Sequence, residues 1–233
     1  MNLQLSLGHF SEVFKSRPQG FSVETILNEA IYDTRNLNNG SDKIFFALHG
    51  KFRSGFSFID AAYAKGVRVF VVDKEVLHQK EDACYFVVDD TLEALMQLAT
   101  WHRSRFKIPV FAIVGTHGKT TVKEWLGNFI KEKYQLVKSP KSYNSKQGVA
   151  LSILELHSKA SFSIFEVSIT HPKEGALIKA MLKPTHGAIC HVGDKYNENF
   201  SSASEKLEEY SQLLSDCELV FFIEDPIISS GIN

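Results

Sequence analysis

The chain of 233 residues is poor in the features that announce an unusual environment. It has no excess of charge: 26 Lys and Arg stand against 27 Asp and Glu, for a formal net charge of −1. No global basic field therefore exists to hold nucleic acid or an anionic membrane, and any anion site has to be local. No apolar run approaches the length of a membrane span, so no membrane insertion is expected. The opening MNLQLSLGHF has neither the basic start nor the long apolar stretch of a signal peptide. Cysteine is scarce, and Cys84, Cys190 and Cys217 are scattered without metal-ligand spacing. Buried thiols in a reducing cytoplasm are the plain reading, which makes the expected location cytoplasmic. The nine histidines show no ligand spacing either, which argues against zinc. There is no internal repeat and no low-complexity tract. What is left, 44% apolar and 23% charged, is the composition of a globular protein able to bury a core in one large domain or two small ones.

The first hundred residues read as mixed α/β. KIFFAL (43–48), VRVFVVD (67–73) and CYFVVDD (84–90) are short strand-like runs rich in Phe and Val. Between the first two, FSFIDAAYAKG carries apolar residues at helical spacing and stops at Gly66. Thr91 is the expected cap of a following helix, which gives way to the basic stretch WHRSRFKIP, a boundary near residues 104–109. Beyond Pro109 the strand-like runs VFAIVG, SFSIFEV, HGAICHVG and ELVFFIE alternate with helical segments near 119–133, 148–156, 172–182 and 201–215. Near-continuous apolar strands separated by helices predict a parallel sheet covered on both faces, with ligands beyond its carboxyl ends. The fold class is thus α/β: a small mixed α/β domain over 1–106, then a parallel-sheet domain over 107–233 that is expected to be incomplete, since no helix closes it after PIISSGIN.

The stretch VFAIVGTHGKTTVKEWLGNFI (110–130) carries the chemistry. Gly115 and Gly118 allow unusual φ and a close approach of backbone N–H groups to an anion. The helix that begins near Gly118 aims its unsatisfied N–H groups and positive dipole end at the same place. Lys119, expected at an exposed helix start, adds a full positive charge, and Thr120 offers a hydroxyl to magnesium. The full P-loop pattern requires a glycine where Ile113 stands, so this loop, Gly115-Thr116-His117-Gly118-Lys119-Thr120-Thr121, is a shorter version. A glycine-rich βα turn beside a surface lysine is the competing reading.

GTHGKTT is similar to the ATP loop of the Mur ligase family, usually written G-T-N-G-K-T-T. Three further stretches resemble that family in the right order: SYNSKQGVALSIL (142–154), IFEVSITHPKEGALIKAMLKPTHGAI (164–189) and, in the first domain, DTRNLNNGSDKIFFALHGKFRSGFSFIDAAYAKGVRVFVVD (33–73). The resemblance covers nearly the whole chain. It implies an ATP-dependent amide ligase of peptidoglycan precursor synthesis, which adds D-Ala-D-Ala to UDP-MurNAc-tripeptide through an acyl phosphate. It also implies three domains, of which this chain would hold the UDP-sugar module and part of the ATPase core, without the amine-binding domain and so without a complete catalytic cycle. Ligases acting on folate or cyanophycin are the near alternative, against which the first-domain match argues. NENFSS (197–202) is similar to forms fused to an alanine racemase.

Carried over residue by residue, the resemblance assigns ATP to Gly115–Thr121, the first Mg2+ to Thr120 and Glu166, and a place near substrate and phosphate to Asn144. It gives Thr34, Arg35 and Gly50, with Gly55, to the UDP-sugar. Lys119 and Glu166 are the catalytic candidates. The bland alternatives are a strand-end glutamate for Glu166, a turn or cap for Asn144 and a surface arginine for Arg35, although a forked guanidinium suits a diphosphate. His171 reads as loop structure and His191 as strand packing. Three departures stand out. Tyr196 occupies the position of a metal-side histidine two residues before Glu198. Tyr210 occupies that of a carbamylated lysine, with Lys206 one turn earlier. Ser54-Gly55-Phe56 replaces Asp-Gly-His. A phenol is a poor magnesium ligand at neutral pH, so a nucleotide-binding module with weak or no catalysis is the second reading.

Overall fold

The apolar runs condense into two separate sheets. A computed structural model describes residues 3–17, 20–50, 54–193 and 197–223. The chain divides into two units, Met1–Trp101 and His102–Asn233. In chain order the first unit holds β1 (Leu5–Ser6), α1 (Leu7–Phe14), β2 (Ile26–Leu27), β3 (Glu29–Ile31), β4 (Lys43–Phe46), α2 (Ile59–Ala64), β5 (Val69–Val72), β6 (Cys84–Val87) and α3 (Thr91–Ser104), whose last turn passes the division. The second holds β7 (Val110–Val114), α4 (Lys119–Ile130), β8 (Leu136–Lys138), α5 (Lys146–Ile153), β9 (Phe162–Glu166), α6 (Glu174–Leu182), β10 (His186–Ile189), α7 (Ala203–Leu214) and β11 (Leu219–Phe222).

In the first unit β3-β4-β5-β6 form a parallel sheet and β1-β2 a short antiparallel ribbon. The strand period of two sends neighbouring phenylalanines to opposite faces. Phe45 and Phe70 pack with Ile59 and Ala62 of α2, while Phe46 and Phe86 meet Phe14 of α1 edge-on, at ring separations of 6.3 and 5.4 Å. The three thiols are free; Cys84 is buried, and burial pushes Cys217 up to about 11. Among the described residues no helix is long and apolar enough to cross a membrane.

The second unit is a five-stranded parallel sheet in the order β11-β10-β7-β9-β8. All five residues of β7 are buried, as expected of a strand covered on both faces. Val122, Leu126 and Ile130 of α4 cover Phe111, Ile113, Ile164 and Ala188 on one face. From β7 the chain moves outward to β8, returns through β9, then passes to the other side of β7 for β10 and β11. That reversal makes the carboxyl end of β7 a switch point, where open α/β sheets bind ligands.

Three details differ from the sequence reading. Asp90, not Thr91, caps α3, its Oδ1 accepting from the Glu93 amide at 2.8 Å, while the Thr91 hydroxyl donates to the Ala47 carbonyl. His191 lies beyond the end of β10 and is exposed, so it packs no strand. The three-residue β8 is too short to announce itself by periodicity.

The start of α6 is tied down by a buried acid. Glu174 accepts from the amides of Thr170 at 2.7 Å and His171 at 3.1 Å and pairs with Lys146 at 3.0 Å. Burial alone would raise its pKa, but the Thr170 amide, the Lys146 ammonium and the His171 amide outweigh it and hold the carboxyl below its ordinary 4.5. A depressed folded-state value contributes stability that is complete above 4.5 and lost as pH falls through the folded value. Urea unfolding between pH 7 and 3 is therefore expected to show a loss of stability on acidification that is smaller in Glu174→Gln, with the variant about 1–3 kcal/mol less stable at pH 7.

Candidate functional site

The loop after β7 depends on its two glycines. Gly115 has φ of +131° and Gly118 of +82°, in the region where side chains are disfavoured. A Cβ on Gly115 would also stand 2.9 Å from both the amide nitrogen and the carbonyl oxygen of His191. The closeness has a purpose, because the loop is bonded to the segment after β10. The Thr116 amide donates to the His191 carbonyl at 2.8 Å, and the buried Thr116 hydroxyl accepts from the Gly193 amide at 2.9 Å. His117 is exposed, its ring 6.1 Å from that of His191. Beside the loop a mostly apolar hollow of about 410 Å3 is lined by His117, Val122, Cys190, His191, Phe221 and Ile223.

Gly118 starts α4 without a side-chain cap, and the first turn of a helix presents N–H groups that have no intrahelical acceptor. Lys119 corrects the expectation of an exposed lysine. It is 5% exposed, and its Nζ donates to the Gly115 carbonyl at 2.6 Å, folding the side chain back along its own loop. Thr121 is exposed.

The neighbouring strand supplies the acid. β7 and β9 pair in parallel with Ile113 opposite Glu166, which brings the carboxylate to the head of α4. Glu166 is 1% exposed, so it is no surface strand-end residue. The Thr120 hydroxyl donates to its Oε2 at 2.8 Å and the Asn144 amide to its Oε1 at 2.7 Å. The Glu166 backbone amide donates to Ser139 Oγ at 3.1 Å. Ser142 Oγ lies 3.4 Å from the Thr120 hydroxyl, and Lys123 Nζ lies 3.7 Å from Glu166 Oε2. Lys123, Ser139 and Ser142 are absent from the sequence-based selection. The one available signal was spacing: Lys119, Lys123 and Gly127, four residues apart, are the buried stripe of α4. A hydroxyl and a carboxylate are hard oxygen donors that suit Mg2+, and their convergence within 2.8 Å fits such an ion. The glycine turn and uncapped helix start fit a phosphate chain.

Thr34, Arg35 and Gly50 belong to the first unit, where they follow β3 and β4. Thr34 is buried, and its carbonyl accepts from Lys65 Nζ at 2.6 Å. The Arg35 side chain is 86% exposed and grips Asp33 through Nε at 2.9 and 3.0 Å, which raises the guanidinium and lowers the carboxyl pKa. Gly50 is exposed beside the bridge between His49 and Ser54. A Cβ on Gly55 would stand 2.5 Å from backbone atoms of Ala47 and Leu48, which explains a glycine there. Tyr196 lies outside the described residues, and Glu198 is exposed in a short 3-10 turn. Tyr210 and Lys206 are both buried in α7, and Lys206 Nζ donates to the Gly193 carbonyl at 2.8 Å.

Sheet order, glycine turn and uncapped helix define the class: an α/β protein with a loop of the phosphate-binding kind at its switch point. The Mur ligase middle domain model matches residues 113–233, just over half of the sequence, and the chain belongs to that family. The UDP-N-acetylmuramoyl-tripeptide–D-alanyl-D-alanine ligase of Synechocystis sp. is 34% identical over 196 residues, spanning 83% of this chain and 43% of that protein. The ligase of the same name from Bacillus subtilis is 26% identical over 214 residues, 90% of this chain and 46% of the relative. The chain thus spans less than half the length of these relatives. MurF from Acinetobacter baumannii superposes with a TM-score of 0.86 at 21% identity, over 97% of this chain and 50% of that one. The MurF ligase of Thermotoga maritima in complex with ADP gives 0.74 at 24% identity, over 88% and 48%. At such identities these structures establish the fold. Gly115→Ala is expected to destabilise the second unit by about 1–3 kcal/mol, through its φ and the contact with His191, read as a lower urea midpoint with an unchanged m-value.

Proposed function

We propose that this chain carries the UDP-sugar-binding and ATP-binding parts of an ATP-dependent amide ligase of peptidoglycan precursor synthesis, which joins D-Ala-D-Ala to UDP-MurNAc-tripeptide in the cytoplasm. On this reading residues 1–106 hold the sugar nucleotide and 107–233 form part of the ATP domain. The observation that carries it is the meeting of Thr120, Asn144 and Glu166 at the uncapped start of a helix that follows a glycine turn. The names of the Synechocystis and B. subtilis relatives and the ADP complex of the T. maritima protein support it.

In the reaction a substrate carboxylate attacks the γ-phosphorus of ATP, the bond to the bridging oxygen breaks, and ADP leaves behind an acyl phosphate. The amine of D-Ala-D-Ala then attacks the acyl carbon and inorganic phosphate departs. Phosphoryl transfer needs position and charge compensation more than covalent help. Amides of the loop and of the first turn of α4, other than that of Thr116, cradle the phosphates, and Lys119, moving off the Gly115 carbonyl, compensates their charge. Thr120 and Glu166 would hold Mg2+, which would supply charge neutralisation to the phosphate oxygens. Asn144 fixes the Glu166 carboxylate. Thr34, Arg35 and Gly50 receive the diphosphate of the sugar nucleotide, Arg35 exchanging Asp33 for it.

Isothermal calorimetry with ATP and Mg2+ tests the nucleotide site: Lys119→Met is expected to weaken binding at least about tenfold, the loss of one charge-assisted contact. Unchanged affinity would remove Lys119 from the site. A nucleotide-binding module without ligase activity is the second reading, favoured by the buried Tyr210 where the resemblance places a lysine. UDP-MurNAc-tripeptide separates the two. The ligase reading expects it to bind and Arg35→Ala to weaken it about tenfold while sparing ATP; a bare nucleotide module expects no such binding.

A further inference from the structure

A buried charged residue that the mechanism above does not use is Lys123. It lies one turn beyond Lys119 on the inner face of α4 and is 0% exposed. A buried ammonium needs its N–H groups satisfied and its charge balanced. Here Nζ donates to the Ser139 carbonyl at 3.0 Å and to the Lys141 carbonyl, and it faces Glu124 Oε1 at 3.3 Å and Glu166 Oε2 at 3.7 Å. Both carbonyls belong to the segment that leaves β8. That segment includes Lys141 at φ of +50°, a left-handed conformation that a lysine adopts only when its surroundings enforce it.

The same segment feeds the site. Ser139 Oγ accepts from the Glu166 amide at 3.1 Å, Ser142 Oγ reaches Thr120 at 3.4 Å, and Asn144 Nδ2 holds Glu166 Oε1 at 2.7 Å. The Asn144 carbonyl in turn accepts from the Ser168 amide at 2.8 Å. One ammonium thus fastens the strand-exit loop to the helix whose first turn carries Thr120. We propose that Lys123 is a positioning residue for the cation: it pins residues 139–144 against α4, so that Thr120, Asn144 and Glu166 keep the arrangement in which a divalent ion is bound. This rests on the reading of Thr120 and Glu166 as cation ligands. Groups that orient metal ligands typically carry 10–100-fold in metal affinity when removed.

Mn2+ is the probe. It is titrated into the chain with a non-hydrolysable ATP analogue and followed by electron paramagnetic resonance, and the analogue's affinity without metal is measured in parallel. Lys123→Met is expected to weaken Mn2+ binding at least about tenfold while metal-free analogue affinity changes less than about threefold. If circular dichroism shows Lys123→Met unfolded, Lys123→Gln is judged by the same two numbers. Wild-type Mn2+ affinity in the folded variant overturns the proposal, and so does an equal loss of metal-free analogue binding, which would mark the lysine as general scaffolding. Failure of the wild-type chain itself to take up Mn2+ with the analogue would instead overturn the reading of Thr120 and Glu166, and this inference with it.

Discussion

A carboxylate with 1% exposure at the carboxyl end of an interior strand is the constraint around which the second unit is arranged. Glu166 cannot remain there as a charge without partners, and its partners come from two other pieces of chain, α4 and the connection between β8 and α5. Thr120 comes from the first turn of α4, Asn144 from the approach to α5, Ser139 from the exit of β8 and Lys123 from the second turn of α4. One loop and one helix are thereby fixed relative to one strand by a single side chain and its own amide. An arrangement this fully bonded is organised before any ligand arrives, which is what differential stabilisation of a charged reaction requires.

The sheet order makes this possible. β7 and β9 are spatial neighbours although α4, β8 and α5 lie between them in the chain. Parallel pairing in register aligns the glycine turn that leaves β7 with the acid that ends β9, at the edge where such sheets bind ligands. On the other flank the segment after β10 completes the turn: Gly115 and Thr116 lean on the His191 carbonyl and the Gly193 amide, and Lys206 of α7 holds Gly193 from behind. The turn is therefore braced from both sides, by α7 through Gly193 and by β9 through Thr120. Lys206 occupies the same buried face of α7 as Tyr210, one turn earlier, and that position suits bracing of the loop.

Much of the architecture was legible in the chain. β5 and β7, interior in their sheets, are continuous runs of Val, Ile, Phe and Ala, the composition that burial on both faces favours. The helix starting at Lys119 follows from the glycines before it, and Gly66 marks the end of α2 at φ of +95°. The elements that escaped notice are short or unpatterned. β8 has three residues, β1 and β2 two each, and α1 shows its purpose only through Phe10 and Phe14 against the sheet. Asp90 was passed over for Thr91 as a cap because both residue types serve and only the accepting oxygen decides.

For the site, the local order of residues already determined the glycine turn, the lysine and hydroxyls that follow it and the acid at a strand end, because those depend on backbone freedom and spacing within a few residues. Proximity was decided by the fold alone. That Glu166 meets Thr120 and that Lys123 joins α4 to the 139–144 segment are long-range facts. They arise because parallel strands, paired in one register, bring distant carboxyl ends to a common edge, where a buried charge selects its partners from whatever the packing delivers.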